Sequence, residues 1–152
     1  MTVFPTSYFP SVAYLKAICR AESPVIDLGE HYVKQTQRNR YSVLSANGPL
    51  DLSIPVIRPN GNKTLTGLIE VSEDLGWRRD HWRSITAAYS SSPYFEHYES
   101  EIQALVFQKT KLLSDFNFSA LRFLQFTLQL EFEYISSPDY MEHPDIDFRY
   151  FN

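Results

Sequence analysis

The sequence predicts an α+β domain in which a β-hairpin-containing sheet from the N-terminal half is covered by helices from the N-terminus and the C-terminal half. Three observations predict it. Asn47-Gly48 is a hairpin signal set between two β-compatible runs. Apolar residues recur at helical spacing through much of residues 77–128. A single helical pattern precedes all of the predicted strands.

Taken in order, residues 7–21 carry Tyr8, Val12, Leu15, Ile18 and Cys19 at spacings of three and four, an amphipathic helix with Pro10 in its first turns. Pro24 precedes the β-rich run Val25, Ile26, Asp27, Leu28, read as a buried strand that stops at Gly29. Residues 39–44 and the strictly alternating 50–54 form the hairpin, ending before Pro55. A polar loop over 58–64 leads into a strand at 68–71. Trp82, Ile85 and Tyr89 place a helix over 77–89, which Ser90-Ser91-Ser92-Pro93 breaks. Phe95, Tyr98, Ile102, Leu105 and Val106 give the next helix one apolar face. A last helix is expected after Asp115-Phe116-Asn117, with Ser119 as its cap and Leu121, Leu124 and Leu128 as its stripe. Residues 131–135 alternate as a strand, and an irregular acidic and aromatic tail follows Ser137-Pro138.

The 152 residues suit a single domain, 1–152, large enough to bury a core without a staple. A net charge of −4 argues against a nucleic-acid-binding field. Cys19 is alone, so no intramolecular disulfide framework is expected. The opening MTVFPTSYFPSV lacks the charged start and apolar core of a signal peptide, and no run reaches the length of a membrane span. The expected location is cytoplasmic.

Against this acidic background, residues 31–41 hold Lys34, Arg38 and Arg40 and no acid. As a strand, Lys34, Thr36, Arg38 and Arg40 would share a face; as a helix, Lys34 and Arg38 would be neighbours at i, i+4. Arg offers a planar fork for carboxylate or phosphate, and Lys a mobile point charge. The run therefore reads either as a solvated face or as a site for an anionic ligand, with the amides of Gln35, Gln37 and Asn39 supplying neutral hydrogen bonds.

His81 stands four residues from Trp77 and beside Trp82, so a helix lays it against aromatic surface. It reads either as a proton-transfer group or as a satisfied core-edge histidine. Trp82, Ile85 and Tyr89 fit a core stripe. The four His are scattered and there is no second Cys, so neither a metal nor a cofactor is expected. No Gly-rich phosphate loop or GxSxG elbow is present. The triple serine at 90–92 reads as a loop, and His143-Pro144-Asp145-Ile146-Asp147 as an acidic loop.

Several motifs in one order carry a resemblance: Ser7-Tyr8-Phe9-Pro10; His31-Tyr32-x-Lys34-Gln35-x-x-Arg38-Asn39-Arg40; Asn47-Gly48-Pro49; Leu52-Ser53-Ile54-Pro55-Val56; Trp77-x-x-x-His81-Trp82; and Ala88-Tyr89-x-x-x-Pro93-Tyr94-Phe95. Over about residues 3–107 the chain resembles the bacterial WbqC-like proteins. That resemblance implies a part in surface-polysaccharide (O-antigen type) biosynthesis, with an acyl or aminoacyl transfer to an amino sugar as the reaction expected. Many members open with Gln-Pro-x-Tyr-x-Pro; here the matching stretch Pro5-Thr6-Ser7-Tyr8-Phe9-Pro10 lacks the Gln. Members commonly continue past the 147–150 region, so a C-terminally shortened member is expected. On this reading Lys34, Arg38 and Arg40 bind an anionic substrate such as a nucleotide-linked sugar, and His31 or His81 moves the proton. Gln35 and Asn39 orient the substrate, with Trp82 and Tyr89 beside it. The rival reading is a non-catalytic module that binds a glycan precursor or a partner protein of the same pathway.

Overall fold

The computed structural model describes residues 1–150. In chain order the elements are β1 (Thr2–Pro5), α1 (Val12–Arg20), β2 (Pro24–Asp27), β3 (Arg40–Ser45), β4 (Gly48–Ser53), β5 (Val56–Ile57) and β6 (Glu70–Val71). After them come α2 (Trp77–Tyr89), α3 (Phe95–Phe107), α4 (Leu113–Thr127), β7 (Ile135–Ser137) and β8 (Ile146–Asp147). The α+β class holds. The sheets are arranged differently from the sequence expectation, because the central sheet is parallel and does not contain the hairpin.

That central sheet runs β7-β2-β1-β8. β1 pairs with β2 in register Val3 to Val25, and α1 makes the crossover between them. β7 joins the far side of β2, and β8 the far side of β1. Parallel strands are covered on both faces, which is why Val3, Phe4 and Ile26 are all but inaccessible. Phe4, Ile26, Leu15, Ile18 and Leu121 form one core, closed by the extended segment 130–134 through Phe132 and Tyr134.

The hairpin β3–β4 stands apart as its own sheet and packs on the helices, with Tyr41, Val43 and Leu52 facing Ile85, Val106 and Phe116 in a second core. α4 serves both cores. Leu113, Phe116 and Ala120 face the hairpin side, Leu121 faces the parallel sheet, and Leu124 packs against the parallel-sheet core while also bordering the hairpin side.

Several elements depart from expectation for identifiable reasons. β1 was not anticipated, because four residues ending in proline give little periodicity. α1 starts at Val12, and Ser11 is its cap, accepting from the Tyr14 N–H at 3.2 Å. Residues 7–10 are loop, with Phe9 at φ 42°. The hairpin turn is Ala46-Asn47, since Gly48 already pairs with Ser45 and takes φ 107°. α4 starts at Leu113, so Ser119 lies inside it and bonds back to the Asp115 carbonyl at 3.0 Å. No capping side chain marks that start, and Asp115 in the first turn supplies the favourable charge. Residues 131–134 make no strand pair; their alternation comes from packing, with Tyr134 stacked on Phe118 at 5.8 Å. Pairing begins at Ile135.

The tail is part of the fold. Segment 137–141 crosses over the end of β2, where Leu28 N–H donates to the Ser137 carbonyl and Met141 N–H to Asp27. Gly29 allows the close approach, because a Cβ there would lie 2.1 Å from the Tyr140 nitrogen and 2.2 Å from the Asp139 carbonyl carbon. Gly29→Ala is expected to displace this crossing and to cost about 1–3 kcal/mol in urea unfolding. An unchanged midpoint would mean that the crossing gives way freely.

Candidate functional site

In parallel sheets the crevice outside the carboxyl ends of the strands is the usual place for a ligand. β1 ends at Pro5, and residues 6–11 run from there to the start of α1. This loop forms one wall of a cleft of about 600 Å³, and residues 35–37 with the start of β3 form the other. Two backbone features mark the rim: Phe9 at φ 42° and Gln35 at φ 58°, both left-handed conformations that cost a non-glycine residue energy.

The walls are pinned by hydrogen bonds. The Thr36 carbonyl accepts from the N–H groups of Asn39 and Arg40 at 3.1 and 2.9 Å, folding residues 34–39 into a turn. Tyr8 N–H donates to the Gln37 carbonyl at 3.3 Å and joins the two walls. Asn39 fixes the turn to the hairpin, its side-chain amide donating to the Ile54 carbonyl at 3.0 Å while its backbone carbonyl accepts from Ile54 N–H at 2.7 Å. Behind the first wall the Asn117 amide donates to the Arg38 carbonyl at 2.8 Å and to Thr6 Oγ1 at 3.2 Å.

The cleft is electropositive. Arg40 is half-buried, its Nε donates to Ser53 Oγ at 3.2 Å, and no carboxylate pairs with it among the described residues. No acidic side chain lines the cleft among the described residues. Ser11 and Val12 bring the N-terminal end of α1 to its edge, where first-turn N–H groups lack helical partners. Ser7 is buried, lines the cleft, and its Oγ has no hydrogen-bond partner among the described residues. Buried hydroxyls are usually paired, so Ser7 offers an unused donor and acceptor there. Together these groups can receive an anion carrying further polar substituents.

His81 lies behind this cleft. Its Nε2 is 3.1 Å from the Ser53 carbonyl oxygen, which only accepts, so Nε2 carries the proton. Nδ1 is then bare and accepts from the Tyr41 hydroxyl at 2.9 Å. Trp77 meets the imidazole edge-on at 4.9 Å. Burial pushes its pKa down to about 4, against the opposing pull of the Ser53 carbonyl and Asp80. The Tyr41 hydroxyl is pushed well up by its own burial. With both nitrogens engaged, His81 holds the Tyr41 ring in place as part of the cleft wall.

The basic run itself divides. Lys34 and Gln35 are exposed, whereas Arg38 is 1% exposed, so Lys34 and Arg38 do not share a face. The backbone between them is a turn, which has neither the strand nor the helix period. Arg38 Nε and Nη2 grip Glu30 at 2.7 Å each, and Nη2 also donates to the Arg149 carbonyl at 3.1 Å. Arg149 in turn binds Asp27 through Nη1 at 2.5 Å and Asp147 through Nε and Nη2. The network closes the carboxyl end of the sheet from inside, and the remaining Arg38 nitrogen, Nη1, donates to Thr36 Oγ1 on the cleft wall at 3.1 Å.

His31 is exposed and lines a different cleft, of about 440 Å³, with Glu30, Tyr140 and Tyr150, so the two candidate histidines share no cleft. Trp82 is half-buried and stacks on Phe95 at 6.3 Å. The Tyr89 hydroxyl accepts the Leu44 N–H at 3.0 Å. Of the predicted substrate-binding residues, the structure brings Gln35 and Arg40 into the electropositive cleft. Sequence reasoning missed Ser7, Phe9, Ser11 and Tyr41 as its walls; the one pointer, to Ser7 and Phe9, was Ser7-Tyr8-Phe9-Pro10 within the resemblance. Among the described residues no group of three or more His, Cys, Asp or Glu is placed to hold a metal ion, and no helix is long and apolar enough to cross a membrane.

Fold and site together define an α+β domain with a polar cleft at the carboxyl edge of a short parallel sheet. The WbqC-like protein family matches over residues 6–148, and the chain belongs to that family. No curated protein and no solved structure matches it.

Proposed function

We propose that the protein serves bacterial surface-polysaccharide (O-antigen type) biosynthesis in the cytoplasm. In this reading it holds an anionic substrate, such as a nucleotide-linked amino sugar, in the Arg40 cleft for an acyl or aminoacyl transfer. The observation that supports it best is the unpaired Arg40 guanidinium in an acid-free cleft beside the orphaned Ser7 hydroxyl and the start of α1. Arg40 is the charge contact, Gln35 and Ser7 meet neutral polar groups, and Arg38 and Asn39 keep the turn in shape. Lys34, exposed on the same turn, adds long-range attraction.

A second reading, a non-catalytic binding module of the same pathway, is favoured by His81, whose two nitrogens are both engaged. Calorimetric titration with nucleotide-linked amino sugars tests what the two readings share. Binding is expected, weakened at least about tenfold in Arg40→Ala, since hydrogen bonds to a charged group contribute about 1.5–3 kcal/mol. Absence of binding, or equal affinity in the variant, overturns both. Mass-detected transfer to the amino sugar from an added acyl or aminoacyl donor separates them: product supports the enzyme, and binding without product supports the module.

A further inference from the structure

The electropositive cleft continues into a recess of about 270 Å³ of opposite character. Phe9, Tyr41 and Ser42 line both, so the two spaces adjoin. The far wall of the recess is built by Ile85 on α2, Ile102 on α3 and Leu124 on α4, where the hairpin meets three helices. Its polar atoms are already engaged. The Tyr41 hydroxyl bonds His81, the Tyr89 hydroxyl takes the Leu44 N–H, and Ser42 Oγ donates to Asp51. With each of these hydroxyls already committed to one hydrogen bond, a polar group entering the recess would give up more hydration than the remaining partners replace, whereas an apolar group loses nothing. The cleft next door has the reverse chemistry, with a guanidinium that no carboxylate neutralises and a buried hydroxyl without a partner among the described residues. Phe9, held at φ 42°, stands at the junction.

We propose that this recess is a binding site for an apolar chain joined to the anionic group in the Arg40 cleft. The ligand is then an amphiphilic anion, an alkyl or acyl chain of several carbons ending in a phosphate-bearing head, distinct from the nucleotide-linked sugar and sharing with it the Arg40 contact. The assignment of the head rests on the Arg40 reading above; the assignment of the chain rests on the recess alone.

Inorganic phosphate, ethyl phosphate, butyl phosphate and hexyl phosphate, titrated calorimetrically into the full chain, give the test. The dissociation constant is expected to fall about fourfold for each added methylene until the recess is full. Ile102→Trp, which fills the recess, should abolish this dependence and leave binding of inorganic phosphate unchanged. Methyl NMR of the unsubstituted chain gives a readout independent of that variant: hexyl phosphate should shift the Ile85 and Ile102 methyl signals, and inorganic phosphate should not. Equal affinity across the series, a dependence that persists in a folded Ile102→Trp, or unmoved methyl signals would overturn the recess. If hexyl phosphate binds with these signatures while Arg40→Ala leaves its affinity unchanged, the chain site stands and the Arg40 reading falls.

Discussion

Arg38→Ala is expected to lower the unfolding free energy by about 3–5 kcal/mol, a large share of what holds a domain of this size together. The cost arises from what is left behind. Glu30 is 5% exposed and its two carboxylate oxygens lie 2.7 Å from Arg38, so removing the guanidinium strands a charge away from water. Burial already pushes the Glu30 pKa up, and the Arg38 hydrogen bond is the largest effect opposing that rise. Without Arg38 the folded carboxyl would titrate higher still, above its unfolded value. The stability deficit should therefore be greatest near neutral pH, shrink as pH falls toward the ordinary carboxylate range, and level off below it, where Glu30 is protonated in both states. Urea unfolding at pH 7 and pH 4.5 checks both statements. Glu30→Leu with Arg38→Met should recover most of the loss, because an apolar pair of similar volume removes the stranded charge. By contrast Lys34→Ala should stay within about 0.5 kcal/mol of the parent. A loss below about 1 kcal/mol in Arg38→Ala would show that water reaches Glu30.

His81 sets the second large effect, a stability that declines on mild acidification. Its pKa falls from an ordinary 6.5 in the unfolded chain to about 4 in the fold. Between those values the unfolded chain takes up a proton that the folded one refuses, so acid favours unfolding. The contribution is fully present above pH 6.5, is lost progressively as pH falls to about 4, and amounts to about 3 kcal/mol. Arg149 and Arg78 hold the carboxyls of Asp147 and Glu73 low, so their losses come at more acidic pH than that of His81. Unfolding midpoints from pH 7.5 to 4 should slope downward in the parent chain. His81→Gln should flatten that slope, whatever its own stability. A slope unchanged by the substitution would assign the acid sensitivity to other groups.

How much of this was legible before the structure depends on the distance between partners. The hairpin was visible because both strands and their turn lie within residues 40–53, so alternation and Asn47-Gly48 reinforce each other. The helix over 77–89 was visible because Trp82, Ile85 and Tyr89 recur in it at spacings of three and four. The parallel sheet was not. Each of its strands has two to four residues, and β1 finds β8 from the opposite end of the chain, a pairing that no local period encodes. The expectation that Arg38 shares a face with Lys34 failed for a similar reason. The acid-free run begins at His31, one residue after Glu30, which proves to be the partner. The turn over 34–39 then breaks both periodicities and sends Arg38 inward while Arg40 stays at the cleft. Counting charges located the region; only the folded backbone separates the structural arginine from the available one.

The pairing of Thr2 with Ile146 also bears on how the molecule is made. During synthesis β1 emerges first and has one of its two neighbours, β2, within reach. The other neighbour, and Arg149 that satisfies Asp27, follow more than a hundred residues later. Contacts of such sequence separation carry a large loop-closure cost and fold slowly. Until residues 146–149 clear the ribosome, Phe4 keeps an uncovered face and the buried carboxylate of Asp27 lacks its cation, so the parallel sheet closes only after nearly all of the described chain has been made.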